Sequence, residues 1–422
     1  MINLKLSKLN IKKINLGDIN KDYSGQDILM KLGELYQFES GIYAYGNIYK
    51  KLEGIIEDII IDELDKSDCI EIQLPTLQPK DLWVKSNRWD TFTKESDTMY
   101  TLSNNLGEYG LAPTAEECVT VFASNRLNSY KNLPATYYQI SEKFRKEKRC
   151  RGYLYRPRTF KMLDAYSFDK DSESMKKSFN KMNEVFLNIF ERLGISVIKT
   201  VSDGGTMGGR VSMEFQVLTN LGEDIILHDN KNGINKEVLS FDDKNIFIKE
   251  LGLDLNSLNE NNSLELGNNF CLGTKYSESL EQYYIDELGK KRPYYMGCYG
   301  IGIGRIIATL LENNLIIKDN QVKGFAIPYH LSYYKLQIIY SKEHKDTAIK
   351  LYNVLNSKGI KTILDDRDNL TIGNKINDVY VLGTPKFIVL GKEFNGVDYK
   401  IEDTKTGIKK NLKYEELINY KE

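Results

Sequence analysis

The stretch that most restricts what this chain can fold into is Thr136–Met162, which alternates with a period of two on both sides of a basic tip. In the first arm Tyr138, Ile140, Glu142 and Phe144 share one face, and Gln139, Ser141, Lys143, Arg145 and Glu147 share the other. Lys148–Tyr155 reads as a turn around Gly152, and the second arm puts Arg156, Arg158, Phe160 and Met162 on one face. Successive side chains of a strand point to opposite faces, so the segment predicts an antiparallel hairpin. Nine of the nineteen residues from Lys143 to Lys161 are Lys or Arg, with Glu147 the only acid, in a chain whose net charge is −1. The positive charge is therefore local and suits a local anion. A guanidinium clamps a phosphate by two parallel bonds, a carboxylate accepts from an exocyclic amine, and an aromatic ring covers a purine. Arg145, Glu147, Arg158 and Phe160 together suit an adenine nucleotide. The plain alternative is an edge hairpin charged for solubility.

At 422 residues the chain is long for one core, which predicts two domains. Gly46–Asp65 carries apolar residues at helical spacing, and Ile70, Ile72 and Leu74 then alternate up to Pro75. Ser172–Leu193 predicts a helix, and Asp229–Glu265, polar and rich in Asn and Lys, predicts an exposed connection. The character changes near Lys323–Tyr334. Beyond it, strand–helix–strand–helix–strand over about 90 residues predicts a small α/β domain. Five scattered cysteines without a CxxC pair, and three histidines, argue against a zinc site, a disulfide framework and His-based triads. No run approaches the roughly 18 apolar residues of a membrane span. The first residues have neither an apolar signal core nor arginines, so a cytoplasmic protein without membrane partners is expected.

Three further motifs bear on chemistry. "GCYGIGIGRIIATLLENN" is glycine-rich and then helical, with Arg305 at the junction, where a helix N-terminus favours an anion; a tight turn before a packed helix fits equally. "GGTMGGRVS" (Gly204–Ser212) is not a phosphate-binding P-loop, because Arg210 and Val211 stand where Lys and Ser/Thr belong. It reads as a lid over a substrate or a plain flexible loop. In "LAPTAEECVT", Thr114 and Glu116 suit a substrate ammonium; the bland reading makes Thr114 a helix cap.

In this order the pieces resemble class II aminoacyl-tRNA synthetases, most closely the bacterial-type prolyl branch. "IQLPTLQPKDLW" is similar to the end of motif 1 (46–79), "FRKEKRCRGYLYRPRTFKMLDAYSF" to motif 2 (136–166), and "MGCYGIGIGR" to motif 3 (294–314). "APTAEE" resembles the Thr-x-Glu loop and "LDDRDNLTIGNK…LGTPKFIVLG" an anticodon-binding domain. The resemblance implies an α+β fold: an antiparallel-sheet catalytic domain over 1–328, then a small α/β anticodon-binding domain over 329–422. It implies ATP and Mg²⁺ as cofactors, with no metal cluster made of protein ligands alone. L-proline, tRNA(Pro) and a second copy across motif 1 are the implied partners. Arg145 and Arg305 would be catalytic. Arg145, Glu147, Arg158, Phe160, Gln216 and Arg305 would bind ATP, and Thr114, Glu116, Arg145, Met162, Glu214 and Phe270 the amino acid. Lys146, Lys148, Arg149 and Arg151 would meet the tRNA acceptor end, and Asp366, Arg367 and Lys375 the anticodon.

The chain departs from the family pattern at Ala115, Met213 and Asn268, where bacterial members usually carry histidine, and at Arg158-Thr159-Phe160, where Arg-Glu-Phe is usual. The large editing insertion of many members is missing, and only the short segment 229–265 occupies its place. Two other readings share the motifs: a paralogue that activates a small amino acid for another acceptor, and a non-catalytic RNA-binding relative. The retained Arg145, Glu147, Phe160 and Arg305 disfavour the second, and the anticodon-type domain disfavours the first.

Overall fold

The computed structural model describes residues 5–12, 23–204, 207, 211–242 and 244–420. By packing, these separate into two compact units, Glu57–Ile306, and Met1–Ile56 together with Ile307–Glu422.

The unit Glu57–Ile306 is built on a nine-stranded sheet. Its order is Val211–Leu218, Ile198–Asp203, Asn232–Asn235, Asp224–His228, Asn259–Gly273, Tyr295–Gly302, Thr159–Asp169, Ala135–Phe144 and Ile70–Glu71. All neighbours are antiparallel except Asn232–Asn235 with Ile198–Asp203, and Ile70–Glu71 with Ala135–Phe144. The hairpin forms as its alternation predicts, but its ladder stops at Phe144↔Thr159. Arg145 N donates to Arg158 O at 2.9 Å one step beyond. The register opposes Ser141 to Met162 and Lys143 to Phe160, which puts the chemical residues of both arms on one face.

The helix Ser172–Arg192 starts at Asp171, whose side chain accepts from Ser174 N at 2.7 Å. It buries Met182, Val185, Phe186, Ile189 and Phe190. Phe186 and Phe190 meet Phe215 at centroid distances of 5.4 and 5.7 Å. Each such side chain contributes on the order of 1.5–3 kcal/mol. Tyr166, Phe168, Tyr276, Tyr294 and Met296 form a second core together with Ala115 and Val119 of the Thr-x-Glu segment. The backbone that carries the expected site residues therefore rests on a packed aromatic floor.

The segment 229–265 is not the exposed connection its composition suggests. Asn232–Asn235 and the start of the fifteen-residue strand Asn259–Gly273 are integral to the sheet. Val201, Ile234, Val238 and Leu253 pack into a core of their own. Sheet ladders are made by backbone groups, so a polar strand end such as Asn259–Ser263 leaves no period-two signature.

In the other unit, Thr362–Asp365, Leu336–Tyr340 and Lys386–Leu390 are parallel, and Asp398–Asp403 and Lys409–Lys413 extend the sheet antiparallel. The helices Lys345–Ser357 and Ile372–Leu382 provide the expected crossovers. The last two strands were not legible in the sequence. Among the described residues no helix is long and apolar enough to cross a membrane.

Candidate active site

Within the sheet unit lies a cavity of about 420 Å³, lined by Thr114, Arg145, Glu147, Phe160, Met162, Phe270 and Arg305 among others. Thr114 and Arg305, 191 positions apart in the chain, thus meet at one cleft. Arg145 is one of the lining cations: burial pushes its guanidinium below the usual range, Arg305 adds repulsion, and Glu265, Glu116 and Glu147 pull the other way. Arg145 Nε and Nη2 donate to the Pro113 carbonyl at 3.3 and 3.2 Å, and its guanidinium stands 5.1 Å from the Phe160 ring centre.

The glycine-rich segment is a strand, Tyr295–Gly302, that leads straight into the helix Ile303–Asn313; the tight turn read from its glycines does not occur. A Cβ at Gly297 would fall 2.2 Å from Tyr299 Oη, so protein packing demands glycine there. A Cβ at Gly300 would meet only ordinary contacts at 3.7 Å or more, and Gly300 lines the cavity. Leaving that space open keeps the floor flat for a bound group. Arg305, in the first turn of the helix, is held by backbone: Nε donates to Tyr155 O at 3.0 Å and Nη1 to Glu265 O at 2.7 Å. Glu265 Oε2 accepts from the same Nη1 at 3.1 Å.

At the Thr-x-Glu segment the cap reading is corrected. Ala115 is the N-cap of Glu116–Ser124 and makes no side-chain cap. Thr114 Oγ1 instead donates to Glu116 Oε1 and Oε2 at 2.8 and 2.7 Å. Glu116 lies just beneath the cavity lining, fully buried, and also accepts from Cys298 Sγ at 3.3 Å and from Arg88. Burial alone would raise its pKa; Arg88 and the Thr114 hydroxyl outweigh it and hold Glu116 below the usual carboxylate range. Below the hairpin face, Asp164 takes Lys143 Nζ at 2.5 Å, Gln139 Nε2 at 2.9 Å and Tyr166 Oη at 2.8 Å.

Glu214 and Gln216 do not line the cavity. Gln216 is fully buried with its amide on Glu214 Oε2 at 2.7 Å and Asp224 Oδ2 at 3.0 Å, which corrects its reading as a nucleotide contact. Burial, Glu265 and Asp224 push Glu214 up to about 8. Asn268 Nδ2 reaches Glu214 Oε1 at 3.2 Å, and Asn268 lines the cavity. Arg158 lies outside the lining as well, its Nε donating to Glu147 O at 3.3 Å.

The basic tip is balanced by acids that sequence reasoning missed. Asp97 pairs with Lys146 at 3.0 Å and Lys148 at 3.7 Å; Glu223 pairs with Arg156 at 2.7 Å and Arg151 at 3.4 Å. Glu147 Oε2 meets Arg156 Nε at 3.0 Å, and the Arg149 side chain is exposed. Also missed were Arg88 and Glu265, single charged residues in segments with no readable period. Of the Gly204–Ser212 loop read as a lid, residues 205, 206 and 208–210 lie outside the described residues.

In the other unit, Lys375 is 1% exposed and donates to Tyr340 O and Asp365 O at 3.3 and 3.1 Å. Its ammonium serves the fold and is not presented to an RNA, a correction. Arg367 pairs with Asp365 and Asp378 at 2.6 and 2.7 Å, and Asp366 accepts from Ser7 N at 2.9 Å; both stay partly exposed.

An antiparallel sheet that joins a hairpin arginine to a second arginine at a glycine-rich strand–helix junction defines a class II aminoacyl-tRNA synthetase core. Residues 100–314 match the tRNA synthetase class II core domain (G, H, P, S and T), and residues 335–421 the anticodon binding domain. The proline–tRNA ligase of Rickettsia bellii (strain OSU 85-389) is 32% identical over 401 residues, 92% of this chain and 91% of that protein. That of Wolbachia sp. subsp. Drosophila simulans (strain wRi) is 32% identical over 434 residues, 99% of both. Among solved structures, Giardia lamblia prolyl-tRNA synthetase in complex with prolyl-adenylate superposes with a TM-score of 0.75 at 17% identity, over 94% of this chain and 75% of that one. Cryptosporidium parvum prolyl-tRNA synthetase complexed with halofuginone and AMPPNP gives 0.72 at 16%, over 93% and 73%. The chain belongs to the proline–tRNA ligase family of class II synthetases.

Proposed function

We infer that the protein is a proline–tRNA ligase, which activates L-proline with ATP and transfers the prolyl group to the 3′ end of tRNA(Pro). The observation that carries this is the convergence of Arg145, Arg305, Thr114 and Phe160 on one cavity, with Glu116 immediately beneath. The relatives' names supply the amino acid.

The proline carboxylate attacks the α-phosphorus in line and pyrophosphate leaves. Arg145 clamps the α-phosphate and the carboxylate. Glu147 accepts from the adenine amine, Phe160 stacks on the base, and Arg305 holds the γ-phosphate. Thr114 and Glu116 take the proline nitrogen, while Met162 and Phe270 line its ring. Such chemistry is served by positioning and charge neutralisation, with no protein base required. For Mg²⁺ the residues fit a shared site. Among the described residues no three His, Cys, Asp or Glu side chains group to hold a metal, whereas Glu265 brings one carboxylate to the Arg305 side of the cavity. Magnesium takes one or two carboxylates plus phosphate oxygens; when bound it neutralises phosphate charge.

Arg149 and Arg151, with Lys146 and Lys148, meet acceptor-end phosphates, and Asp366 and Arg367 are the remaining anticodon candidates. The functional division runs 1–328 and 329–422. A homodimer through motif 1 is favoured by the edge strand Ile70–Glu71, which among the described residues pairs on one side only and leaves Ile70 51% exposed. Sedimentation at micromolar concentration tests that point. The placement is cytoplasmic. A pyrophosphate-exchange panel over the twenty amino acids, with and without tRNA, tests the function: exchange with proline alone is expected, and exchange with another amino acid and not with proline would overturn the substrate.

A further inference from the structure

Residues 112–115 of the Thr-x-Glu segment lie between the strand Gly107–Leu111 and the helix Glu116–Ser124. Neither a sheet ladder nor a helical turn therefore fixes the peptide plane between Thr114 and Ala115. That plane sets the direction of the Thr114 side chain and the start of the helix that carries Glu116. Two buried side chains grip it, one at each polar group. Tyr166 Oη accepts from Ala115 N at 3.2 Å, and Gln78 Nε2 donates to Thr114 O at 3.2 Å. Tyr166 and Gln78 are both 0% exposed. The N–H and C=O of a trans peptide point in opposite directions, so the two bonds oppose the same rotation.

Each grip is itself held. A backbone N–H can only donate, so the Tyr166 hydroxyl accepts from Ala115 and gives its own hydrogen to Asp164 Oδ2, 2.8 Å away. Asp164 also receives Lys143 Nζ at 2.5 Å and Gln139 Nε2 at 2.9 Å, and Gln139 Oε1 accepts from Leu74 N at 2.9 Å. On the other side, Gln78 Oε1 accepts from Trp83 Nε1 at 2.8 Å. An indole N–H can only donate, which turns the Gln78 amide so that its NH₂ faces Thr114 O; the same Nε2 reaches Pro75 O at 3.4 Å. Packing alone demands neither bond, since a phenylalanine ring or a methionine stem fills much the same volume.

We propose that Gln78 and Tyr166 are positioning residues of the amino-acid subsite: they hold the Thr114–Ala115 peptide plane, and through it Thr114 and Glu116, in the orientation that receives the substrate nitrogen. Neither lines the cavity. The proposal rests on the amino-acid-activating reading above. Losing one grip lets the plane turn, so a smaller share of the free enzyme is ready to bind, and apparent affinity falls by that share. A ready share of about one tenth raises the proline KM about tenfold. The groups that meet ATP on that reading, Arg145, Glu147, Phe160 and Arg305, lie on other segments, so the ATP KM is untouched.

Pyrophosphate exchange and a thermal melt on three variants test this. Tyr166→Phe removes only the hydroxyl, and Gln78→Met removes the amide at similar size. Tyr284→Phe is the control: Tyr284 belongs to the same aromatic core, is buried, and donates to Lys170 O at 3.0 Å, away from the segment. Tyr166→Phe and Gln78→Met are each expected to raise the proline KM about tenfold, with kcat within about threefold and the ATP KM unchanged. Tyr284→Phe is expected to lower Tm without moving the proline KM. A proline KM within about twofold of wild type in both test variants overturns the proposal. So does an ATP KM raised by the same factor as that for proline, or a control that raises the proline KM equally. If one test variant lacks a cooperative melt the other decides; if both lack one, the two residues serve the fold and the proposal falls. A wild type that exchanges with another amino acid overturns only the assigned substrate, and the KM values are then compared for that amino acid. A wild type that activates none overturns both.

Discussion

Arg145→Ala separates catalysis from stability most sharply. As a residue Arg145 is only partly buried, its bonds to the Pro113 carbonyl are long at 3.2 and 3.3 Å, and desolvation of its guanidinium and Arg305 both disfavour its charge. Removing it therefore costs the fold little, within about 1 kcal/mol, or a few degrees in Tm for a unit of this size. The reaction loses more. Two charge-assisted bonds to phosphate or carboxylate oxygens contribute about 1.5–3 kcal/mol each. Together they make roughly 3–6 kcal/mol, or about 10²- to 10⁴-fold in rate. Proline-dependent pyrophosphate exchange reads the rate and a thermal melt reads the stability. Exchange within about tenfold of wild type would refute the clamp. A Tm fall of about 8 °C or more would show that Arg145 is a structural residue instead.

Glu214 sets a pH dependence of stability. Its folded pKa of about 8 lies above the ordinary value of 4.5, so the native state binds its proton more tightly than the unfolded chain. Stability from this group is present at low pH and is lost as pH rises from about 4.5 to about 8, by an amount on the order of a few kcal/mol. Glu214→Gln should flatten that slope in denaturant titrations across the range; an unchanged slope would sink the reading. Replacing Arg149 and Arg151 together by Ala should lower aminoacylation at least about tenfold more than exchange and should reduce its salt dependence by about one unit of log–log slope per lost phosphate contact; equal losses in both assays would argue against tip contacts. Proline and alanine differ by an apolar volume worth about 1–3 kcal/mol per methylene, too little for fit alone to exclude alanine. Segment 229–265 is folded into the sheet, so the purified protein should not clear alanyl-tRNA, and rapid deacylation would contradict this.

What was legible in the sequence was whatever has a period. The hairpin faces, the helix Ser172–Arg192 and the parallel strands with their crossover helices all announce themselves by spacing of 2 or 3.6. The polar strand start Asn259–Ser263 does not, because its ladder is backbone chemistry, and its composition reads as part of an exposed connection over 229–265. Charged residues held inside the fold were also hidden. Arg88 is set apart from a surface arginine by Trp83, Phe92 and Tyr276 around it and by Glu116 and Glu117 on its Nη1, and most of these come close only through a turn of chain or a distant helix. Lys375 fails in the opposite sense. Its position in a motif promised an exposed cation, but the sheet carbonyls of Tyr340 and Asp365 hold it inside.

The two arginines of the site are pinned in the same way, and this bears on why neither is interchangeable with lysine. Arg145 is tied by Nε and Nη2 to Pro113 O, and Arg305 by Nε to Tyr155 O and by Nη1 to Glu265 O. Each is held by main-chain carbonyls, which a rotamer change elsewhere does not remove. Among the described residues these bonds leave Nη1 of Arg145 and Nη2 of Arg305 to meet a ligand. A planar fork can be anchored on one edge and still present a fixed donor on the other, whereas an ammonium on a flexible stem points either at its anchor or at the ligand. The anchoring removes most of the side-chain entropy before ATP arrives, so the charge is already aimed where phosphate charge develops. The tip cations are different: Asp97 and Glu223 are exposed side chains, and a phosphate displaces them without disturbing backbone. On the proposed function, rigid cations therefore face the reacting phosphates, and exchangeable ones face the long polyanion that must bind and leave in each cycle.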